Sequence, residues 1–294
     1  MTAAGLVDGA ALEKHVVAIV KGRTQENAPL ASVALREQLT RESAATYLVD
    51  TFTSMGYVPS LENDTLSVGT NTSIVVEIPG TQPDVVLLTG HYDAWFQSGA
   101  DDNASALAVI LEAARVLKNT APKRTIRFVA FDREEEGIVG SAQYQRAHAR
   151  DPIALVLNMD CVGFASHEPG SQNAPPGLGL RDTGDFLAVI ANERAKTELT
   201  RFVRLSTEVP RFIDTVGLVA PESARNPGTG AFLQSDHVPF WVAEIPALFL
   251  TDTALFRNSN YHTKKDLPET LDYDFLARAG QLIVGAVAAF AEHE

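Results

Sequence analysis

A chain of 294 residues with 45% apolar and 21% charged residues has the makeup of a folded globular protein. The formal charge of −13 argues against nucleic acid and anionic membrane as partners, since phosphates and lipid headgroups are not drawn to such a surface. A single domain over 1–294 is expected, with residues 1–72 a helical segment packed on the same core.

Taken in chain order, the start MTAAGLVDGAALEKHVV lacks the basic residues and unbroken apolar block of a secretory signal. Cys161 is alone, so no internal disulfide can form. Both suit a reducing cytoplasm, and a secreted chain already trimmed of its signal peptide reads the same way. Short apolar blocks follow at 74–76, 85–88, 126–131, 153–159 and 247–250. Apolar on both faces, they predict central strands of a sheet covered on two sides. Between the second and third blocks, Leu107, Ile110, Leu111, Ala114 and Leu117 fall at helical spacing and stop before Pro122. A last helix is predicted from Asp272, burying Phe275, Ala279, Leu282, Ile283, Ala286, Val287 and Phe290. Its apolar stretch 282–291 is too short to span a bilayer. The sum is an α/β protein, a three-layer α/β/α sandwich around a mixed, mostly parallel sheet. The Pro- and Gly-crowded stretches 166–185 and 221–230 read as long loops that wall a substrate pocket.

The chemistry-bearing residues follow the strands. His91 and Asp93 come after the block at 85–88, Glu134 to Glu136 after Phe131, Asp160 after Met159, and His262 in the segment after 247–250. In an open α/β sheet the ligand crevice lies beyond the carboxyl ends of the strands, so these segments can converge. Imidazole and carboxylate are the donors a catalytic zinc prefers, and one bridging carboxylate lets such a set serve two metals. A pair of divalent cations would also cancel up to four units of the negative charge. A carboxylate beside the metals is still needed to move a proton, and Glu134 and Glu135 can divide those tasks, one as base and one as ligand. Each residue also has a plain reading. His91 can be an ordinary strand-end histidine, Asp101 and Asp102 helix caps, Glu134 to Glu136 a solvated acidic turn and His262 an exposed loop residue. Asp160 resists this, because an unpaired carboxylate ending an apolar strand is costly. For Glu136 the plain reading stands, and Asp101 or Asn103 is expected to cap the helix at 103.

The strings GHYD (90–93), GADDNAS (99–105), REEEGIVGS (133–141), NMDCVG (158–163), SDHVPF (235–240) and NYHT (260–263) resemble metallopeptidase family 28. That family comprises co-catalytic zinc aminopeptidases, with glutaminyl cyclases as a branch. The resemblance runs from about Ser73 onward. It implies two Zn²⁺ ions, one held by His91 and Asp160, the other by Glu135 and His262, with Asp102 bridging and Glu134 as general base; Mn²⁺ or Co²⁺ would fit the same shell. Asp102 is chosen over Asp101 as the second acid of its pair, and Glu134 and Glu135 over Glu136 by counting back from Gly140-Ser141. Asp93 would bond the far nitrogen of His91, and Asp236 would support the site. His237 lines the pocket or starts a helix. Trp95 and Phe96 line the pocket or cover the core.

The implied activity is an aminopeptidase acting on a peptide or amino-acid derivative with a free amino terminus. Three alternatives remain: a glutaminyl cyclase working with one zinc; a carboxypeptidase or dipeptidase, using an arginine such as Arg181, Arg194, Arg225 or Arg257 to clamp a carboxylate; and a scaffold that only binds. All five ligands and the base are present, which weighs against the last.

Overall fold

The apolar blocks at 85–88, 126–131, 153–159 and 247–250 become the centre of one sheet. In chain order the strands are β1 (Ser60–Leu66), β2 (Gly69–Ile78), β3 (Gln82–His91), β4 (Arg124–Phe131), β5 (Ile153–Met159), β6 (Leu187–Ala191), β7 (Thr215–Val219) and β8 (Ala247–Thr251). They form an eight-stranded sheet in the order β1-β2-β4-β3-β5-β8-β6-β7. The pairs β4–β3, β3–β5, β5–β8 and β6–β7 are parallel, whereas β1–β2, β2–β4 and β6–β8 are antiparallel. The computed structural model describes residues 3–25, 33–66, 69–95, 98–173, 181–208, 213–220, 230 and 232–292. Part of the first long-loop stretch, 174–180, and nearly all of the second, 221–229 with Arg225, lie outside the described residues, as does Phe96.

Alternate side chains of β3 face opposite layers, as a pleated strand requires. Val86 and Leu88 join a core with helices α1 (Gly9–Gln25), α2 (Val33–Ser54), α3 (Ala106–Leu117), α5 (Lys196–Glu208) and α7 (Tyr273–Ala291). Val85 and Leu87 pack on the other face with Tyr144 of α4 (Val139–Ala147) and Phe240 of α6 (Val238–Val242). The result is the three-layer sandwich expected from the sequence.

By length and composition α7 could cross a membrane, with a mean hydropathy of 1.4. Yet Phe275, Leu276, Leu282, Ile283, Val287 and Phe290 are each at most 1% exposed inside the protein. Each such side chain contributes about 1.5–3 kcal/mol by leaving water, which makes α7 a core helix. Asp272 starts it, its carboxylate accepting from the Phe275 N–H at 2.9 Å.

Strands β1, β6 and β7 were not anticipated. Strand β1 (SLENDTL) is a polar edge strand, and β7 carries Gly217 at the opposite edge, so neither has the apolar run of a central strand. Strand β6 (LAVIA) is wholly buried and satisfies the rule applied to the other blocks.

Candidate metal centre

Parallel strands β3, β4 and β5 lie side by side and deliver their last residues to one edge of the sheet. His91 ends β3, the turn bearing Glu134 and Glu135 follows β4, and Asp160 follows β5. Asp102 sits in a wide turn, Ala100–Ser105, that leads into α3, and His262 comes from the loop after β8. The peptide joining Asp102 to Asn103 is cis.

These residues meet. His91 Nε2 lies 3.2 Å from Asp102 Oδ1 and 3.7 Å from Asp160 Oδ1. His262 Nε2 lies 3.1 Å from Asp102 Oδ2 and 3.1 Å from Glu135 Oε2. Two donor sets thus form, His91–Asp102–Asp160 and Asp102–Glu135–His262, each with ligand atoms within 4.8 Å of one another. Asp102 belongs to both, turning one oxygen to each. His91 is fully buried, and neither of its ring nitrogens has a hydrogen-bond partner among the described residues. Asp93 Oδ1 stands 3.4 Å from His91 Nδ1, on the ring's far side from Asp102. The Asp93 carboxylate also accepts the backbone N–H groups of Glu134 and Glu135, both at 3.1 Å, so it ties the first donor to the turn carrying the others.

Burial beside like charges makes several of these acids reluctant to ionise. Glu135 is pushed up to about 7 by burial and by the Asp102 charge. Burial also drives Glu134 well above the carboxylate range; His91 pulls it back, while Asp160, Asp236 and Glu135 raise it further. The imidazoles respond in the opposite sense. Burial disfavours the charged form of His262, but its contacts with Asp102 and Glu135 outweigh that and raise it to about 10. Such a crowd of acids with two unpaired imidazole nitrogens is the donor chemistry of a divalent transition metal, whose charge would reverse the acids' preference. The residues present therefore fit a metal.

Asp236 is buried among these groups, with no hydrogen bond to either carboxylate oxygen among the described residues. Burial pushes it up to about 7, with His91 pulling down and Asp93 and Asp160 adding to the rise. His237 stands at the start of α6, fully buried, stacked on Phe249 at 4.3 Å and donating from Nε2 to the Phe232 carbonyl at 2.8 Å. Burial holds it down to about 4, so it is a neutral packing group behind the wall that Phe249 provides. Neither Asp101 nor Asn103 caps α3, against expectation. Asp101 accepts from the Gly163 N–H and from Asn258, while Asn103 reaches the Met159 carbonyl and the Cys161 N–H. The helix begins only at Ala106, after the wide turn has used those side chains to anchor itself. Glu136 is exposed and paired with Arg133, the solvated role expected of it.

Three further contributions to the site go beyond the roles expected from the sequence. Asp266 accepts the backbone N–H groups of Asp101 and Asp102 at 2.9 and 3.1 Å, which fixes the turn bearing the shared carboxylate. The His262 ring is sandwiched between Tyr261 at 3.9 Å and Trp95 at 5.5 Å, and the Trp95 N–H donates to Glu135 Oε1 at 3.1 Å. The third, Arg23, comes from α1.

Next to the donor cluster lies an apolar recess walled by Ala188, Ile190, Leu218, Phe232, Phe249 and Leu255. Asp160 and Tyr261 also line it, and no arginine or lysine is among the described residues that do. Of the four arginines that a carboxylate clamp could use, the three among the described residues are engaged elsewhere. Arg257 is buried on Gln172 and the carbonyls of Phe164 and Phe186, Arg181 pairs with Asp185 and Asp214, and Arg194 pairs with Glu244.

Comparison with known proteins agrees with this geometry. The sequence profile described as peptidase family M28 matches residues 73–287. The chain is 29% identical over 252 residues to the uncharacterized protein YfbL of Escherichia coli, covering 80% of this chain and 76% of that one. It is 32% identical over 212 residues to aminopeptidase YwaD of Bacillus subtilis, covering 70% of this chain but only 41% of that protein's length. Among solved structures, the LapA aminopeptidase of Legionella pneumophila shares the fold with a TM-score of 0.72 at 19% identity, over 99% of this chain and 73% of that one. The profile takes in every segment that supplies a donor to the cluster, and this chain belongs to peptidase family M28.

Proposed function

We propose that the chain is a two-zinc aminopeptidase that removes an amino-terminal residue, with His91 and Asp160 holding one ion, Glu135 and His262 the other, and Asp102 between them. The observation that carries this reading is the shared carboxylate, whose oxygens face two imidazoles from opposite sides at 3.2 and 3.1 Å. Bound ions would polarise the scissile carbonyl and acidify the attacking water. The chain's own residues do the rest. Glu134, half-buried and close enough to His91, Asp160 and Glu135 to feel their charges, is the group to take a proton from water and pass it to the departing amine once bound metal favours its ionised form. Asp93 keeps the His91 ring oriented. Asp160 stands where the cluster opens into the recess, so a substrate ammonium finds negative charge there while its side chain enters an apolar slot.

The same features weigh against the alternatives. A carboxypeptidase needs a free cation near the scissile bond, and Arg181, Arg194 and Arg257 are committed elsewhere. A cyclase working with one metal has no use for a second donor set. The test is to strip the protein with chelator, restore zinc, and offer leucine-starting peptides that are free, N-acetylated or C-amidated, with a glutamine-starting peptide alongside. Release from free and C-amidated peptides but not from N-acetylated ones is expected. Cleavage of the acetylated peptide, or cyclisation without hydrolysis, would defeat the proposal.

A further inference from the structure

The buried stripe of α1 runs Leu12, Val16, Ile19, Val20 and then Arg23, which occupies the next core-facing position with 0% exposure. A guanidinium so placed has lost its water, a loss of several kcal/mol unless protein groups replace it. Those groups are carbonyls from both ends of one loop. Arg23 Nη2 donates to the carbonyls of Tyr92 at 2.8 Å and Asp93 at 3.4 Å. Nη1 donates to those of Ser98 at 3.0 Å and Gly99 at 2.8 Å. The loop leaves β3 immediately after His91 and returns immediately before the turn that carries Asp102. At its return, Gly99 has φ 56, and a Cβ there would collide with the Asp102 carbonyl oxygen and meet Arg23 Nη1 at 2.8 Å. Only glycine lets the chain close so tightly on the guanidinium.

We propose that Arg23 is a positioning residue of the metal centre. One planar fork clamps the departure and return of the 92–99 loop, and so sets the spacing between His91 and Asp102. The same loop presents Trp95, which stacks on His262 and donates to Glu135, so the clamp reaches the second donor set as well. The charge also opposes the surrounding carboxylates of Asp93, Asp102, Asp266 and Glu135. Arg23 lies outside residues 73–287, so an N-terminal helix that looks like plain packing completes a site built elsewhere. Lysine cannot substitute, because one ammonium on a flexible stem reaches one end of the loop and not both.

The inference rests on the metal-centre reading above, and its test reads metal binding rather than peptide hydrolysis. Full-length Arg23→Lys and Arg23→Gln are compared with the parent by Co²⁺ titration, following the visible absorption of bound cobalt, and by metal-free thermal melting. The expected result is a Co²⁺ dissociation constant raised about tenfold or more, with an altered cobalt spectrum and metal-free melting close to the parent's. Unchanged cobalt affinity and spectrum in a folded variant overturn the proposal. Loss of the metal-free fold in both variants assigns Arg23 to the general core and overturns it equally. A parent that binds no cobalt removes the metal centre itself, and the clamp with it.

Discussion

The donor cluster and the recess beside it share one edge of the sheet but are built on opposite principles. The cluster gathers buried acids and two imidazoles at the ends of β3, β4 and β5, where burial and the Asp102 charge drive Glu135 up to about 7. The recess, walled by β6, β8 and the segments around them, is lined mainly by alanine, isoleucine, leucine and phenylalanine, with Gln172, Gln234 and Thr251 among its polar residues. Asp160 and Tyr261 belong to both regions: Asp160 closes one donor set and Tyr261 stacks on His262, while both line the recess. On the proposed reading, the difference teaches that bond cleavage and side-chain selection are separable in this chain, joined at those two residues.

Substitutions can break or sharpen that separation. The largest effect is expected from Asp102→Ala, which removes the carboxylate common to both donor sets. Two cations held that close repel strongly without it, so metal content per chain should fall and activity should drop by about 10³ or more, roughly 4 kcal/mol. A variant that still holds two ions would refute the bridge. Next comes Glu134→Gln, which should keep metal content unchanged while kcat falls by about 10² to 10⁴. Metal analysis beside turnover separates it from the first variant, and full activity would move the base elsewhere.

On the other side of the comparison, Ile190→Phe narrows the recess and leaves the cluster alone. We expect kcat/KM for substrates with a large apolar amino-terminal residue to fall by about 10- to 200-fold, with alanine substrates far less affected. A parallel loss on both would place selection somewhere else. The smallest effect is expected far from both regions. His148 bonds Glu62 and Asp151 at 2.8 Å each, and these partners raise its pKa against the opposing effect of burial. A raised folded value means the stabilisation is fully present below the unfolded value of about 6.5 and is lost as pH climbs through the folded one. His148→Gln should therefore cost up to about 1 kcal/mol at pH 6 and close to nothing at pH 10, measured by chemical denaturation. A cost that grows with pH would reverse the sign of the argument.

Much of this organisation is legible in the residues because α/β chemistry sits where strands end. His91, Glu134, Glu135 and Asp160 each come within four residues of the end of an apolar block, so the strand reading brought their segments to one edge. What stayed hidden depends on three-dimensional closure. Arg23 reads as an ordinary basic residue near a helix end, and its partners are backbone carbonyls about seventy positions away, which no spacing rule finds. Asp266 is equally silent, since it binds backbone N–H groups on a turn far back in the chain. Capping was misassigned at Asp101 and Asn103 because their pattern matches a helix start, whereas the turn bends once more before α3 begins at Ala106. The unanticipated strands β1 and β7 are sheet edges, where exposure replaces the apolar run with polar and glycine residues.

The shared Asp102 carboxylate is tested most directly by anomalous diffraction from a zinc-loaded crystal. Two peaks about 3.5–4 Å apart are predicted, one beside His91 and Asp160, the other beside Glu135 and His262, with one Asp102 oxygen turned to each. A single peak, or zinc bound away from these side chains, would contradict the account.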